Sequence, residues 1–340
     1  MTGIDRNRLL TFEDFWSVGL APEPHEIQRI YESGFVGSTC LPPDLVFETK
    51  DFYTAFPFAK GIGSGKICNP WRAASALDPG WVGDPDESQQ LGDCVGQGVT
   101  NAGTIDYSVD ALYGETTFEG RLAPEANYRS RGYNSQGANC QQLAEWITRD
   151  GPGGLLPRKK YTSPDGSETV DLTRYNPSWA TRGSSGVPRW LAEIAAKCKA
   201  SVYRCSSPEA VRDAIAIGFG VLACGGEGYS STRNEDGVAA QRGSWAHAKL
   251  ISGYDGSGEM VRKYGGLGLF LWMHDWGPWN SGPKRHEQPD GSWWTVTRCV
   301  EINACWAIGQ VTGFNRRLDF SIGEIGDYYQ TRTAIVQGLN

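Results

Sequence analysis

The hydrophobic periodicity of the chain changes near residue 219, and this change limits the folds open to it more than any other feature. Before that point apolar residues recur every three or four positions, as on one face of a helix. After it, short apolar runs are separated by turn signals, as in strands. The predicted helices are Cys94 to about Leu112, Gln141–Thr148, Trp190–Lys199 and Ser207–Ile217. The predicted strands are Phe219–Cys224, Ala248–Tyr254, Gly268–Met273, Trp293–Val300 and Ala307–Thr312. This segregation predicts an α+β protein in which a helical lobe is followed by an antiparallel β lobe.

The length of 340 residues leaves room for further segments outside a two-lobed domain. We predict an N-terminal extension at 1–68, a domain at 69–320 with lobes at 69–205 and 206–320, and a C-terminal tail at 321–340. Two helices, Thr11–Leu20 and Pro24–Ser33, are expected in the extension. The segment Lys60–Lys66 is interpreted as a flexible linker, because it lacks the GxxxxGK[ST] spacing of a phosphate-binding loop.

Charge and hydropathy exclude some classes of partner. The net charge is −7 and the sequence pI is about 5.3, whereas nucleic acids and anionic membranes need a basic face. The N-terminus lacks the apolar segment of a secretory signal, and no stretch approaches the ~18 apolar residues of a membrane span. We therefore expect no nucleic-acid partner, no membrane partner and a cytoplasmic location.

The nine cysteines do not form a metal-binding or disulfide-rich pattern. Their odd number leaves at least one thiol unpaired in a monomer, and no CxxC motif is present. Cys198 and Cys205 are the best candidates for a disulfide because they lie close in sequence, and most of the others are expected to be buried thiols. The four scattered histidines predict no zinc site, and no cofactor is expected.

Cys94 follows a Gly-Asp turn and begins a predicted helix, with Asp93 as its N-cap. A thiol at a helix N-terminus faces the positive end of the helix dipole, which stabilises the reactive thiolate. Backbone N–H groups at the same position can hold an oxyanion. The glycines within this helix, Gly96, Gly98 and Gly103, are tolerable if the helix is buried against a close neighbour.

Three segments in chain order carry a recognisable pattern around Cys94 and two histidines. The first is Gln89–Gly96 around Cys94, and the second is Gly-Ser-Trp-Ala-His-Ala followed by Gly-Tyr, which contains His247. The third is His274-Asp275-Trp276-Gly277. Taken in this order, the three segments resemble those of papain-like cysteine peptidases. The resemblance implies a papain-like two-lobed fold, with Cys94 as nucleophile and His247 as general base.

Weaker similarities extend the resemblance over roughly residues 69–315. The pair Trp71-Arg72 looks like the strand that leads into the family's nucleophile segment. The cysteine that the family usually carries three residues before the nucleophile is replaced by Leu91, so its common disulfide at that point is not expected.

The residues that assist catalysis in the family depart from its pattern here. The family's His-orienting Asn is replaced by His274, and the following Ser by Asp275, so either side chain is a candidate to orient His247. The family's oxyanion Gln lies six residues before the Cys, where this chain has Ser88. A one-residue bulge would bring Gln89 into that place. An alternative is that the site has lost its orienting residue and most of its activity.

Two functions are therefore compatible with the sequence. The first is a cysteine peptidase or amidase that cleaves a peptide or protein substrate through Cys94 and His247, with residues 1–68 as a propeptide. The second is a weakly active or inactive structural protein on the same fold, bound to other subunits of a large assembly. The Gly-Asp-Cys-Val-Gly sequence looks similar to bacterial and phage proteins, so a virion head or tail component, with a virion-associated location, is the form expected of the second.

Overall fold

The computed structural model describes residues 49–81, 87–299, 304–312 and 322–339, with the side chains of 299 and 322–326 outside that description. Its helices are α1 Phe52–Ala55, α2 Trp71–Leu77, α3 Cys94–Tyr113, α4 Pro124–Arg129, α5 Cys140–Trp146, α6 Pro177–Ala180, α7 Arg189–Ala195, α8 Pro208–Ala216, α9 Gly258–Tyr264 and α10 Ile322–Gly338. Its strands are β1 Ile67–Cys68, β2 Lys160–Thr162, β3 Thr169–Asp171, β4 Ser201–Arg204, β5 Gly220–Arg233, β6 Ala239–Asp255, β7 Leu269–Met273, β8 Trp293–Val296 and β9 Cys305–Gly309. Among the described helices, none has the length and apolar character needed to cross a bilayer.

The main sheet is antiparallel and is covered on both faces. Its strands follow the order β4-β9-β5-β6-β7-β8, and β1 pairs with β6. Leu222, Leu250 and Leu271 pack with α3 on one face, while Val221 and Ile251 pack with α8 on the other. Strands buried on both sides read as continuous apolar runs, which explains why this half of the sequence shows little alternation.

Helix α3 lies against the β5–β6 pair at unusually short range. A Cβ atom on Gly98 would lie 2.7 Å from the Leu222 side chain and 3.9 Å from the Cβ of Ala248. One on Gly96 would lie 3.0 Å from Tyr128. The expectation that these glycines serve close packing is therefore confirmed, and the packing offsets their helix-propensity cost.

The predicted α+β fold with helical and antiparallel β lobes is confirmed, but two segments differ from prediction. Trp71–Leu77 is helix α2 and not a strand; the short strand β1 precedes it. The segment expected to be a C-terminal tail contains helix α10, whose Tyr328, Tyr329 and Val336 are buried in the core of the β lobe. The two helices expected at 11–20 and 24–33 lie outside the described residues.

The Gly-rich segment predicted to be a linker is held in place by a buried carboxylate. Asp213 accepts hydrogen bonds from the backbone N–H of Gly61 (2.7 Å) and of Gly63 (3.0 Å). It also accepts from the Tyr53 hydroxyl at 2.7 Å and forms an ion pair with the adjacent Arg212. The flexible-linker prediction is wrong because its backbone donors have a charged acceptor in α8, which no local pattern revealed.

Helix α10 is anchored to α3 by a fully buried arginine. The guanidinium of Arg332 lies 2.6 Å from Asp106 and also bonds Asp110, both of which are on α3. Its remaining donors bond the carbonyls of Ile217 (2.9 Å) and Gly218 (3.1 Å). A buried cation with this set of acceptors is compensated, so the ionic contact ties α10 and the end of α8 to the central helix.

A disulfide joins the two lobes. Cys140 at the start of α5 is bonded to Cys224 in β5, with Cα atoms 6.7 Å apart. The predicted pairing of Cys198 with Cys205 is wrong, since both are buried thiols. Proximity in sequence was misleading because the pairing depends on α5 lying over the sheet.

We expect substitution of Arg332 by Met to lower the unfolding free energy by about 3–5 kcal/mol, because two buried carboxylates lose their counter-charge. The matched control is Arg189→Met, which removes an exposed i,i+4 ion pair and should barely move the denaturation midpoint. Chemical denaturation at neutral pH measures both. Equal, small effects of the two substitutions would contradict the anchoring role of Arg332.

Candidate active site

Cys94 is the first residue of α3 and is almost completely buried, with 2% of its surface exposed. The helix it begins contacts strand β6 at Gly98 and Ala248, one turn after Cys94 and one residue after His247. The two residues predicted to form the dyad therefore stand on elements that touch each other. The first-turn N–H groups of α3 point towards the thiol end of the helix, as at any helix N-terminus.

Asp93 precedes α3 as predicted, but its carboxylate does not cap the helix. Oδ2 accepts from the Tyr175 hydroxyl at 2.6 Å and from the Gln97 side chain at 3.4 Å. Oδ1 is buried and has no hydrogen-bond partner among the described residues. Burial raises the pKa of Asp93, the residue before Cys94, to about 8.

His247 is fully buried on β6, opposite Gly225 of β5. Because side chains alternate along a strand, Trp245, His247 and Lys249 share one face of β6. The imidazole packs against the Trp276 indole, with ring centroids 4.7 Å apart and planes inclined by 31°. Burial, followed by the positive charge of Lys249, holds the pKa of His247 well below its usual range.

His274 lies in a box of indole rings beside His247. Its ring centroid is 5.4 Å from that of His247. The indole rings around it are Trp276 at 4.1 Å, Trp279 at 5.0 Å, Trp293 at 5.1 Å and Trp245 at 6.2 Å. Neither ring nitrogen of His274 hydrogen-bonds to a described residue, so it contacts His247 by ring packing alone. Burial lowers the pKa of His274 well below its usual range, which keeps the imidazole neutral.

Asp275 is directed towards α3 and not towards His247. Its carboxylate accepts from the Asn101 side chain at 2.8 Å, and its carbonyl accepts from the Gln89 backbone N–H at 2.5 Å. Burial raises its pKa to about 6. Of the two candidates for orienting His247, His274 lies beside it, whereas the Asp275 carboxylate bonds Asn101.

Gln89 is buried next to the indole that covers His247. Its Oε1 accepts from Trp276 Nε1 at 3.0 Å, and its Nε2 donates to the Leu91 carbonyl at 2.5 Å. A Cβ on Gly277, which has φ of +60°, would lie 2.6 Å from the Ser88 hydroxyl. Gln89 therefore supplies a side-chain hydrogen bond to Trp276, while the Ser88 hydroxyl lies against Gly277.

Sequence reasoning missed two polar residues of this region. Tyr175, which bonds Asp93, comes from a loop without any recognisable motif. Lys249 did carry a signal, since it is a charged residue inside a predicted strand that is otherwise almost wholly apolar. The described ranges contain no group of three His, Cys, Asp or Glu side chains placed to share a metal ion.

The chain has a papain-like two-lobed fold. Its central helix begins with Cys94 and packs on an antiparallel sheet, in which β6 carries His247 and β7 is followed by Trp276-Gly277.

No protein-family model matches the chain, and no curated protein matches it at the significance required. Among solved structures the chain is similar to xylellain, a cysteine protease from Xylella fastidiosa, at 16% identity and a TM-score of 0.43, over 66% of this chain and 81% of that one. It is similar to digestive procathepsin L 3 from Tenebrio molitor larval midgut at 14% identity and a TM-score of 0.39, over 75% of this chain and 78% of that one.

We expect the unfolding free energy to fall as the pH rises from 5 to 8, partly because of Asp93. Its pKa is about 8 in the folded chain and near 3.8 when unfolded, so the folded state binds more protons across this window and loses stability as they dissociate. Asp93→Asn should flatten the dependence, as measured by denaturation at several pH values. Asp165→Asn is the control, because that pKa of about 2 lies below the window. An unchanged slope in Asp93→Asn would contradict the assignment.

Proposed function

We propose that the protein is a cysteine-type hydrolase that cleaves peptide or amide bonds, with Cys94 as nucleophile and His247 as general base. The observation that carries the proposal is the contact of Trp276 with both His247 and Gln89. Three separate segments of the chain thereby supply a histidine, a covering indole and an amide beside the helix that begins with Cys94. An indole over an imidazole excludes water from it, which strengthens the electrostatic interactions of the base.

In this mechanism the Sγ of Cys94 attacks the carbonyl carbon of the scissile bond, and its proton passes to His247. The carbonyl electron pair moves onto oxygen, where the first-turn N–H groups of α3 and the amide of Gln89 stabilise the charge. Collapse of this intermediate breaks the C–N bond, and His247 gives its proton to the leaving amine. Water, deprotonated by His247, then hydrolyses the thioester and regenerates the thiol.

His247 is oriented in this proposal by packing and not by a side-chain amide. His274 stands where an orienting Asn is expected, but it contributes a ring contact at 5.4 Å. Trp245 and Trp276 contact both imidazoles, so the position of His247 is set by the surrounding rings. Asp275 assists indirectly, because its carbonyl accepts from the backbone of Gln89.

The second candidate is a structural protein on the same fold with little or no activity. It is favoured by the burial of Cys94 and His247, since a nucleophile must be reached by its substrate. In this case the partner would be other subunits of a large assembly, such as a phage virion, and the covered site would be a remnant. The two candidates differ in whether the thiol of Cys94 is reactive.

Labelling with iodoacetamide or an epoxide at pH 8 separates them. We expect Cys94 to react at least about 100-fold faster than Cys68 or Cys198, whose pKa values burial raises to about 12 and well above the usual range. His247→Gln should slow Cys94 by about 10²-fold or more, because general-base assistance is lost. Mass spectrometry of the labelled peptides gives all the rates in one reaction.

The matched control is His286→Gln, which removes a histidine bound to Asp255 and away from the Trp276 contacts. It should leave the Cys94 rate unchanged. The hydrolase proposal would be contradicted, and the structural role supported, if Cys94 were labelled as slowly as Cys198 or if His247→Gln did not change its rate.

A further inference from the structure

Lys249 is a completely buried lysine enclosed by aromatic rings. Its side chain has 0% exposure, and Nζ lies 5.3 Å from the Trp272 ring, 5.5 Å from Tyr229 and 5.9 Å from Trp245. The ammonium donates to the carbonyl of Glu227 at 2.7 Å and to its carboxylate at 3.1 Å. These aromatic and carboxylate contacts are what a charged ammonium requires when it is removed from water.

The positive charge of Lys249 is close to both histidines of the site, His247 and His274. Lys249 lies two residues after His247, so both side chains project from the same face of β6. The ring of Trp245 connects them, because it lies within 5.9 Å of Nζ and its centroid is 6.5 Å from the imidazole of His247 and 6.2 Å from that of His274. The ammonium therefore acts on His247 through protein and not through water.

A second positive charge at His247 is unfavourable in such surroundings. Like charges repel more strongly at the low effective dielectric of a protein interior, and burial alone already disfavours imidazolium. Both effects lower the pKa of His247, with burial the larger. Glu227 on β5 offsets part of the charge of Lys249. The other titratable groups around the site are His274 after β7, Tyr229 on β5, Cys94 on α3, and the carboxyl groups of Asp93 and Asp275.

We propose that Lys249 is a positioning residue whose positive charge disfavours protonation of His247. Before substrate binds, the site then contains a neutral Cys94 thiol and a neutral His247 imidazole instead of a thiolate and an imidazolium. The inference rests on the proposed function. In the catalytic step the S–H bond of Cys94 then breaks during attack, as the S–C bond forms and the proton moves to the imidazole. The imidazolium exists only until it protonates the leaving amine.

The test is the protonation of His247 in the full-length protein, followed by NMR of the ring resonances. The chain has four histidines, so His247→Gln assigns the resonance. Wild-type His247 should stay neutral from pH 8 down to about 5. In Lys249→Met we expect the midpoint to rise by about one pH unit or more, which is a tenfold or greater change in proton affinity. Lys249→Gln is a second neutral variant if Met prevents folding, and Lys249→Arg retains the charge and should titrate like the wild type.

The pH dependence of Cys94 alkylation gives an independent readout. Wild-type reactivity should rise in a single alkaline step, whereas the neutral variants should gain at least about tenfold in rate near pH 6, where an ion pair becomes accessible. The proposal is overturned if folded neutral variants keep the wild-type midpoint of His247, or if Lys249→Arg raises it as much as Lys249→Met. The NMR titration needs no turnover. An unchanged His247 midpoint in the neutral variants would therefore contradict the role of Lys249 alone, whereas slow labelling of Cys94 in the wild type would contradict the hydrolase function.

Discussion

The close packing of helix α3 on the β5–β6 pair is the contact on which the rest of the structure depends. It requires glycine at position 98, where a side chain would meet Leu222. Cys94 begins this helix one turn before Gly98, and His247 on β6 immediately precedes Ala248, which Gly98 approaches. Its far half carries Asp106 and Asp110, which receive the buried Arg332. The helix is thus held by apolar contact with the sheet and by ionic contact with α10.

The buried charged and polar groups of the chain differ in how completely they are hydrogen-bonded. Asp213 and Arg332 each have several partners, and their role is to hold segments together. Near the proposed dyad, one carboxylate oxygen of Asp93 has no hydrogen-bond partner among the described residues. The same is true of both ring nitrogens of His274. Buried polar atoms without a hydrogen bond to a described residue also occur elsewhere, for example Arg158 Nε and Asn127 Oδ1, so incomplete pairing does not by itself mark the site.

Much of the fold could be predicted from local pattern, and much of the site could not. The helix from Cys94 and the strand at Leu269–Met273 follow from residue spacing, as does the α+β class. The anchoring of Gly61 and Gly63 by Asp213 could not be predicted, since the partners are about 150 positions apart in the chain. The same holds for the bond between Cys140 and Cys224. Long-range polar contacts leave no periodicity, because they depend on how the elements are stacked.

The sequence by itself determined which chemical groups are present and in what order: Cys94 at a helix start, His247 entering a strand, and His274 where an orienting amide was expected. Only the tertiary structure decided how these groups are used. It placed His274 among indole rings without a hydrogen bond to a described residue, turned Asp275 to Asn101, and brought the charge of Lys249 to the face of His247. The physical reason is that proton affinity depends on burial and neighbouring charge, and both arise only when distant segments pack together.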